Sequence, residues 1–173
     1  MPLLIHGFVD DQEPTIECDG YIPIVLRWTH SSRFPPIYWR VGDFEKSLVE
    51  IGVNEQTGAI CKVTVTSLDS ITDSFPGSKD KVAESLKGLP CCDLKLWSGE
   101  TRRIDEKSIV CAYYDNNTFL LKIEECLSSV NRPCVVEYCT GNVRFRLNQE
   151  NSLCELEVQN LSKMEIENLV SSI

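Results

Sequence analysis

The residues best suited to chemistry in this chain of 173 are nine cysteines and two histidines. Thiolate and imidazole are the ligands of structural zinc and, side by side, the nucleophile and base of a cysteine hydrolase. Cys91-Cys92 and Cys134-x4-Cys139 are the only close pairings, and neither has the C-x2-C spacing of a zinc knuckle. Cys61, Cys111, Cys139 and Cys154 instead fall at periodic strand positions, where a thiol behaves as a small buried hydrophobe. His6 lies within one predicted strand and His30 at the end of another, so neither is tied to a particular cysteine. Carboxylates are abundant, but acid–base pairs need divergent environments, which spacing alone does not supply. None of the G-x-x-x-x-G-K-[ST], G-x-G-x-x-G, G-x-S-x-G or H-E-x-x-H motifs occurs. The reading is a non-enzyme with no catalytic residue, no metal and no cofactor.

The elements that would position any site are mostly strands. Leu48–Val53 and Ala59–Leu68 flank the loop Asn54–Gly58, with Val49, Ile51 and Val53 on one face and Cys61, Val63 and Val65 on the matching one. Pairing Val53 with Ala59 predicts Ile51 opposite Cys61 and Glu50 opposite Lys62. A second hairpin of the same construction runs from Val143 to Val158, with Arg144 expected opposite Glu155 and Phe145 opposite Cys154. Further strands are expected at Leu3–Val9, at Tyr21–Trp28 (with Pro23 marking an edge or bulge), at Leu89–Trp97 and at Cys134–Cys139. Ser108–Tyr114 is apolar on both faces and is expected to be central. Phe119–Val130 fits a strand to about Ile123 followed by a helical turn. A short helix over Lys79–Lys87, capped by Ser78, and a C-terminal helix opened by the capping box Ser162-Lys163-Met164-Glu165 complete the set. Met164, Ile166, Leu169 and Val170 are its apolar positions. The expectation is a single α+β domain over residues 1–173, a predominantly antiparallel sheet built of hairpins with a few short helices. No internal repeat is expected; the two hairpins are attributed to shared physics.

A net charge of −9 and a pI near 4.7 weigh against direct binding to nucleic acid or anionic membrane and favour a basic partner. The N-terminus lacks a basic n-region, so no secretory signal is read there. That places the chain in the cytoplasm, with its cysteines as thiols. Two readings stand for the aromatics Trp28, Phe34, Tyr38, Trp39 and Phe44. The weightier is core; the other is an anchor patch, joined by Arg33 and Arg40. The contact candidates are therefore Tyr38, Trp39 and Arg40, with Asp69, Asp73 and Asp80 on the long polar connection after the first hairpin.

The segment Tyr38-Trp39-Arg40-Val41-Gly42-Asp43-Phe44-Glu45-Lys46-Ser47-Leu48-Val49-Glu50-Ile51-Gly52-Val53, continuing through Asn54–Val65, resembles the edge-to-hairpin segments of immunity proteins from bacterial contact-dependent growth-inhibition systems. The resemblance implies a chain, monomeric when free, that binds the C-terminal domain of a cognate toxin, usually a nuclease, and neutralises it by stoichiometric occlusion. The alternative reading is a cytosolic domain that binds a small ligand or metal through free thiols.

Overall fold

The computed structural model describes residues 1–10, 12–29, 34–75, 82–124 and 133–173. In chain order the elements are β1 (Ile5–Val9), β2 (Thr15–Glu17), β3 (Ile24–Arg27), β4 (Ile37–Gly42), β5 (Leu48–Val53), β6 (Ile60–Ser67), β7 (Thr72–Asp73), β8 (Glu84–Lys87), β9 (Leu89–Cys92), a 3-10 turn (Leu94–Leu96), β10 (Arg103–Lys107), β11 (Ile109–Tyr114), β12 (Phe119–Glu124), β13 (Val136–Thr140), β14 (Val143–Leu147), β15 (Leu153–Val158) and α1 (Lys163–Ser171). The class is mostly β, with antiparallel and mixed sheets and one C-terminal α-helix. That narrows the α+β expectation.

The two large sheets repeat one plan. The first runs β10-β4-β5-β6-β3-β2, and the second β8-β13-β14-β15-β12-β11 with β7 added at its end. In each, a three-stranded meander is followed outward by an antiparallel pair, and a parallel strand closes the other edge. The tips of the two central hairpins match as well. Asn54 Oδ1 accepts from the amides of Gln56 and Thr57, and Asn148 Oδ1 from those of Glu150 and Ser152. Gly58 and Asn151 take the left-handed conformation that closes each turn. Gly58 is required there, because a Cβ would stand 2.6 Å from the Cys92 carbonyl oxygen. The strings N-E-Q-T-G-A-I-C-K-V-T-V from Asn54 and N-Q-E-N-S-L-C-E-L-E-V from Asn148 carry the same pattern, one residue shorter in the second. The likeness of the two hairpins thus extends to their turn geometry and to the order of strands around them.

Both hairpins slide by two positions from their predicted registers. Ile51 faces Val63 and Glu50 faces Thr64; Phe145 faces Leu156 and Arg144 faces Glu157. One position is lost at the tip, where Val53 meets Ile60 and Leu147 meets Leu153, and the second at a bulge just past it, which leaves Cys61 and Cys154 unpaired with the other strand of their hairpin. A bulge keeps the apolar residues on the buried face while shifting every pair. The hydrophobic pattern therefore survived, and the pairing built on it did not.

One core lies between the inner faces of the two sheets. Trp28, just past β3, packs its ring 5.7 Å from that of Phe145 and donates from Nε1 to Thr140 Oγ1 at 3.2 Å. Trp39, Phe119 and Phe145 are its largest fully buried side chains. The small β1–β9 ladder closes one side, and the end where Ile5 pairs with Cys92 reaches both hairpin tips. The Cys92 amide donates to Gly58 O, and the Ile5 amide to Asn151 O. The capping box at Ser162 and Glu165 forms as expected, and α1 buries Ile166 and Leu169 while Met164 stays exposed.

Other expectations change. Residues 84–87 form an edge strand rather than the end of a helix, because pairing with β13 satisfies their backbone groups; Ser78–Lys81 lie outside the described residues. β11 is not central: its outer neighbour is the two-residue β7, and Ile109 is 53% exposed. Strand β3 is not an edge either, being flanked by β2 and β6, and Pro23 simply precedes it. Strand β10, where no element was expected, completes the first sheet. Beyond Glu124, the predicted helical turn falls on residues 125–132, outside those described.

Candidate partner-binding surface

Along β4, Ile37, Trp39 and Val41 face the core while Tyr38 and Arg40 face outward. Arg40 forms a bidentate pair with Asp105 of β10, with Nε and Nη2 each 2.8 Å from a carboxylate oxygen. Glu50 of β5 lies 3.8 Å from the same guanidinium. The hydrogen bonds with Asp105 raise the Arg40 pKa, and their counterpart holds the Asp105 carboxyl below its ordinary value.

Beyond Arg40 the chain turns tightly between β4 and β5. A Cβ on Gly42 would stand 2.1 Å from Ser47 O, so only glycine fits. The Asp43 carboxylate accepts from the amides of Glu45, Lys46 and Ser47 at 2.8–3.0 Å, which holds its pKa well below the usual carboxylate range. These bonds fix Phe44 at φ 65°, a conformation an aromatic residue rarely adopts. The Phe44 ring is 37% exposed and sits 5.5 Å from the Arg40 guanidinium, a cation–π contact. Lys46, on the same turn, reaches Asp69 at 3.1 Å.

The structure therefore brings Arg40 and Asp69 to one end of the first sheet, joined through Phe44 and Lys46. Tyr38 lies on the same face, toward the other end of β4. Trp39 is withdrawn as a contact candidate: it is 1% exposed, in the core, with Nε1 donating to Met1 O. Asp73 is exposed but belongs to β7 on the edge of the other sheet. Asp80, Arg33 and His30 lie outside the described residues. Asp43 and the turn geometry escaped the sequence reading. An Asp and a Ser at a turn's ends are a signal, but nothing in the residue type announces a left-handed Phe.

At the opposite end of β4 a cleft of about 550 Å³ opens between the Asn54–Gly58 loop and the 94–102 connection. Trp97, Leu94 and Ile37 supply apolar walls, and Glu55, Gln56 and Arg102 polar ones. Arg102 is held by Glu55 and by Pro35 O, and Trp97 Nε1 donates to Tyr38 O. Among the described residues no cysteine lines the cleft. Among the described residues no group of three or more His, Cys, Asp or Glu is placed to hold a metal ion. No helix among them is long and apolar enough to cross a membrane. Neither a protein-family model nor a curated protein matches this chain.

Proposed function

We propose that the chain is an immunity protein that binds a basic toxin domain through the Phe44 end of its first sheet and neutralises it by stoichiometric occlusion in the cytoplasm. The observation that carries this reading is the Gly42–Ser47 turn. It spends a glycine, a three-amide carboxylate cap and a strained φ on presenting one aromatic ring to solvent, and backbone strain of this kind gathers at functional sites. A rigid aromatic backed by an arginine is also the usual composition of a binding hot spot. The net charge of −9 suits a cationic partner, whose encounter it would accelerate.

The test is co-expression with the C-terminal domain of the toxin encoded beside this gene. The wild-type chain is expected to co-purify with that domain and to restore growth. Phe44→Ala is expected to bind at least about tenfold more weakly with an unchanged unfolding midpoint. Absence of both capture and protection by the wild-type chain would overturn the function. Capture by Phe44→Ala as strong as by wild type would move the interface elsewhere.

A further inference from the structure

Sequence spacing directs attention to Cys134 and Cys139, yet the structure pairs Cys134 with a different sulfur. Cys134 Sγ and Cys154 Sγ are 2.8 Å apart, closer than two unlinked sulfurs ordinarily pack. Cys134 precedes β13, where the next residue already joins the ladder through the Val135 amide and Leu147 O. Cys154 is the bulge residue of β15, freed from cross-strand pairing and turned so that its thiol donates to Arg146 O at 3.1 Å. Cys134 is buried and Cys154 half-buried. The equivalent bulge cysteine of the first hairpin, Cys61, has no such neighbour among the described residues, so the pair is a departure from the repeat and not a product of it.

We infer that Cys134 and Cys154 are a redox pair that closes to a disulfide by exchange with a low-molecular-weight disulfide of the glutathione type. Whichever thiol first loses its proton attacks one sulfur of the external disulfide and expels the other as a thiolate. The second protein thiol then attacks the protein-bound sulfur of that mixed disulfide and expels the remaining small thiolate. The two protons lost by Cys134 and Cys154 end on the two small thiols. The protein pair is oxidised by two electrons and the external disulfide is reduced by two. The hydrogen bond with Cys134, and then burial, push the Cys154 thiol far above its ordinary value, so closure accelerates as pH rises. Once closed, the bond ties the start of β13 to β15 across β14 and removes the thiol donor from Arg146 O. The inference does not depend on the proposed partner.

The experiment incubates the purified full chain with oxidised or reduced glutathione, alkylates all remaining thiols under denaturing conditions, and maps the digest. Oxidised protein is expected to be about 2 Da lighter, with a single cross-linked peptide pair joining Cys134 to Cys154. Its unfolding midpoint should rise by roughly 5–10 °C and fall back on reduction. Cys134→Ser should abolish both changes, and Cys111→Ser should leave them intact. Glutathione adducts spread over several cysteines, a cross-link to another cysteine, or full alkylation of both residues after oxidation would each overturn the inference.

Discussion

Asp43 carries the local architecture of the Phe44 turn on one carboxylate. Three amides converge on it, and each favours the charged form. Its pKa in the folded chain is therefore depressed from the ordinary 3.8, and the stabilisation is present in full above that value. As pH falls through the lowered folded-state pKa, the carboxylate protonates and the stabilisation disappears. Asp43→Ala is accordingly expected to unfold at a lower temperature than wild type at pH 7, with the gap closing below about pH 4. Midpoints of both proteins recorded between pH 2 and 7 by intrinsic fluorescence test this; a gap constant across that range would show that the amides are not held by charge. Most of the residue-scale detail was hidden from sequence for a physical reason. The Asp43 cap and the Arg40–Asp105 pair are contacts of specific geometry, and the second joins strands distant in the chain. Burial was only partly legible: of the five aromatics read as core, Trp28 and Trp39 lie there, while Phe34 is 50% and Phe44 37% exposed.

The second hairpin shows how an element's outer face can be polar and still closed to water. Arg146 donates to Glu137 at 2.9 Å, to Glu155 at 3.0 Å and to Glu157 at 2.5 Å, and Lys122 adds a bond to Glu155. Glu157 is only 1% exposed. Burial alone would lower the Arg146 pKa, but hydrogen bonds and charge from Glu157, Glu155 and Glu137 outweigh it and hold it above its usual value. Burial likewise opposes ionisation of Glu137, and the bonds from Arg146 and Cys139 overcome it. Removing the arginine leaves three carboxylates crowded in a low-dielectric site. Arg146→Met should cost about 3–5 kcal/mol of stability, read as a lowered denaturant midpoint. A loss below about 1 kcal/mol would mean that water reaches the cluster. At this scale sequence alternation assigned the apolar face beyond each bulge, but Cys61 and Cys154, expected on it, are half-buried and their core places go to Ile60 and Leu153. The cluster was not legible, since it depends on register, and register turned on bulges at Cys61 and Cys154 that alternation does not mark.

For the whole molecule, the repeated plan raises the question of whether each sheet is a folding unit of its own. The connections argue otherwise. The parallel edge strand of the first sheet, β10, comes from the chain segment that leads into the second, and both sheets bury their inner faces in one core. The β1–β9 ladder ties each hairpin tip to a strand from the other half of the chain. Trp28 crosses from the first sheet to Thr140 and Phe145 of the second. Neither half would keep its apolar face covered alone, and large exposed apolar surface is what cooperative folding avoids. Unfolding is therefore expected to be a single transition. The calorimetric and van't Hoff enthalpies should agree, and far-UV dichroism and tryptophan fluorescence should report the same midpoint. Trp28→Leu should lower that midpoint for both probes together, because the bridge belongs to both sheets. Two separated transitions, or a Trp28→Leu effect confined to fluorescence, would show that the sheets fold independently and that the shared core is an interface between two units.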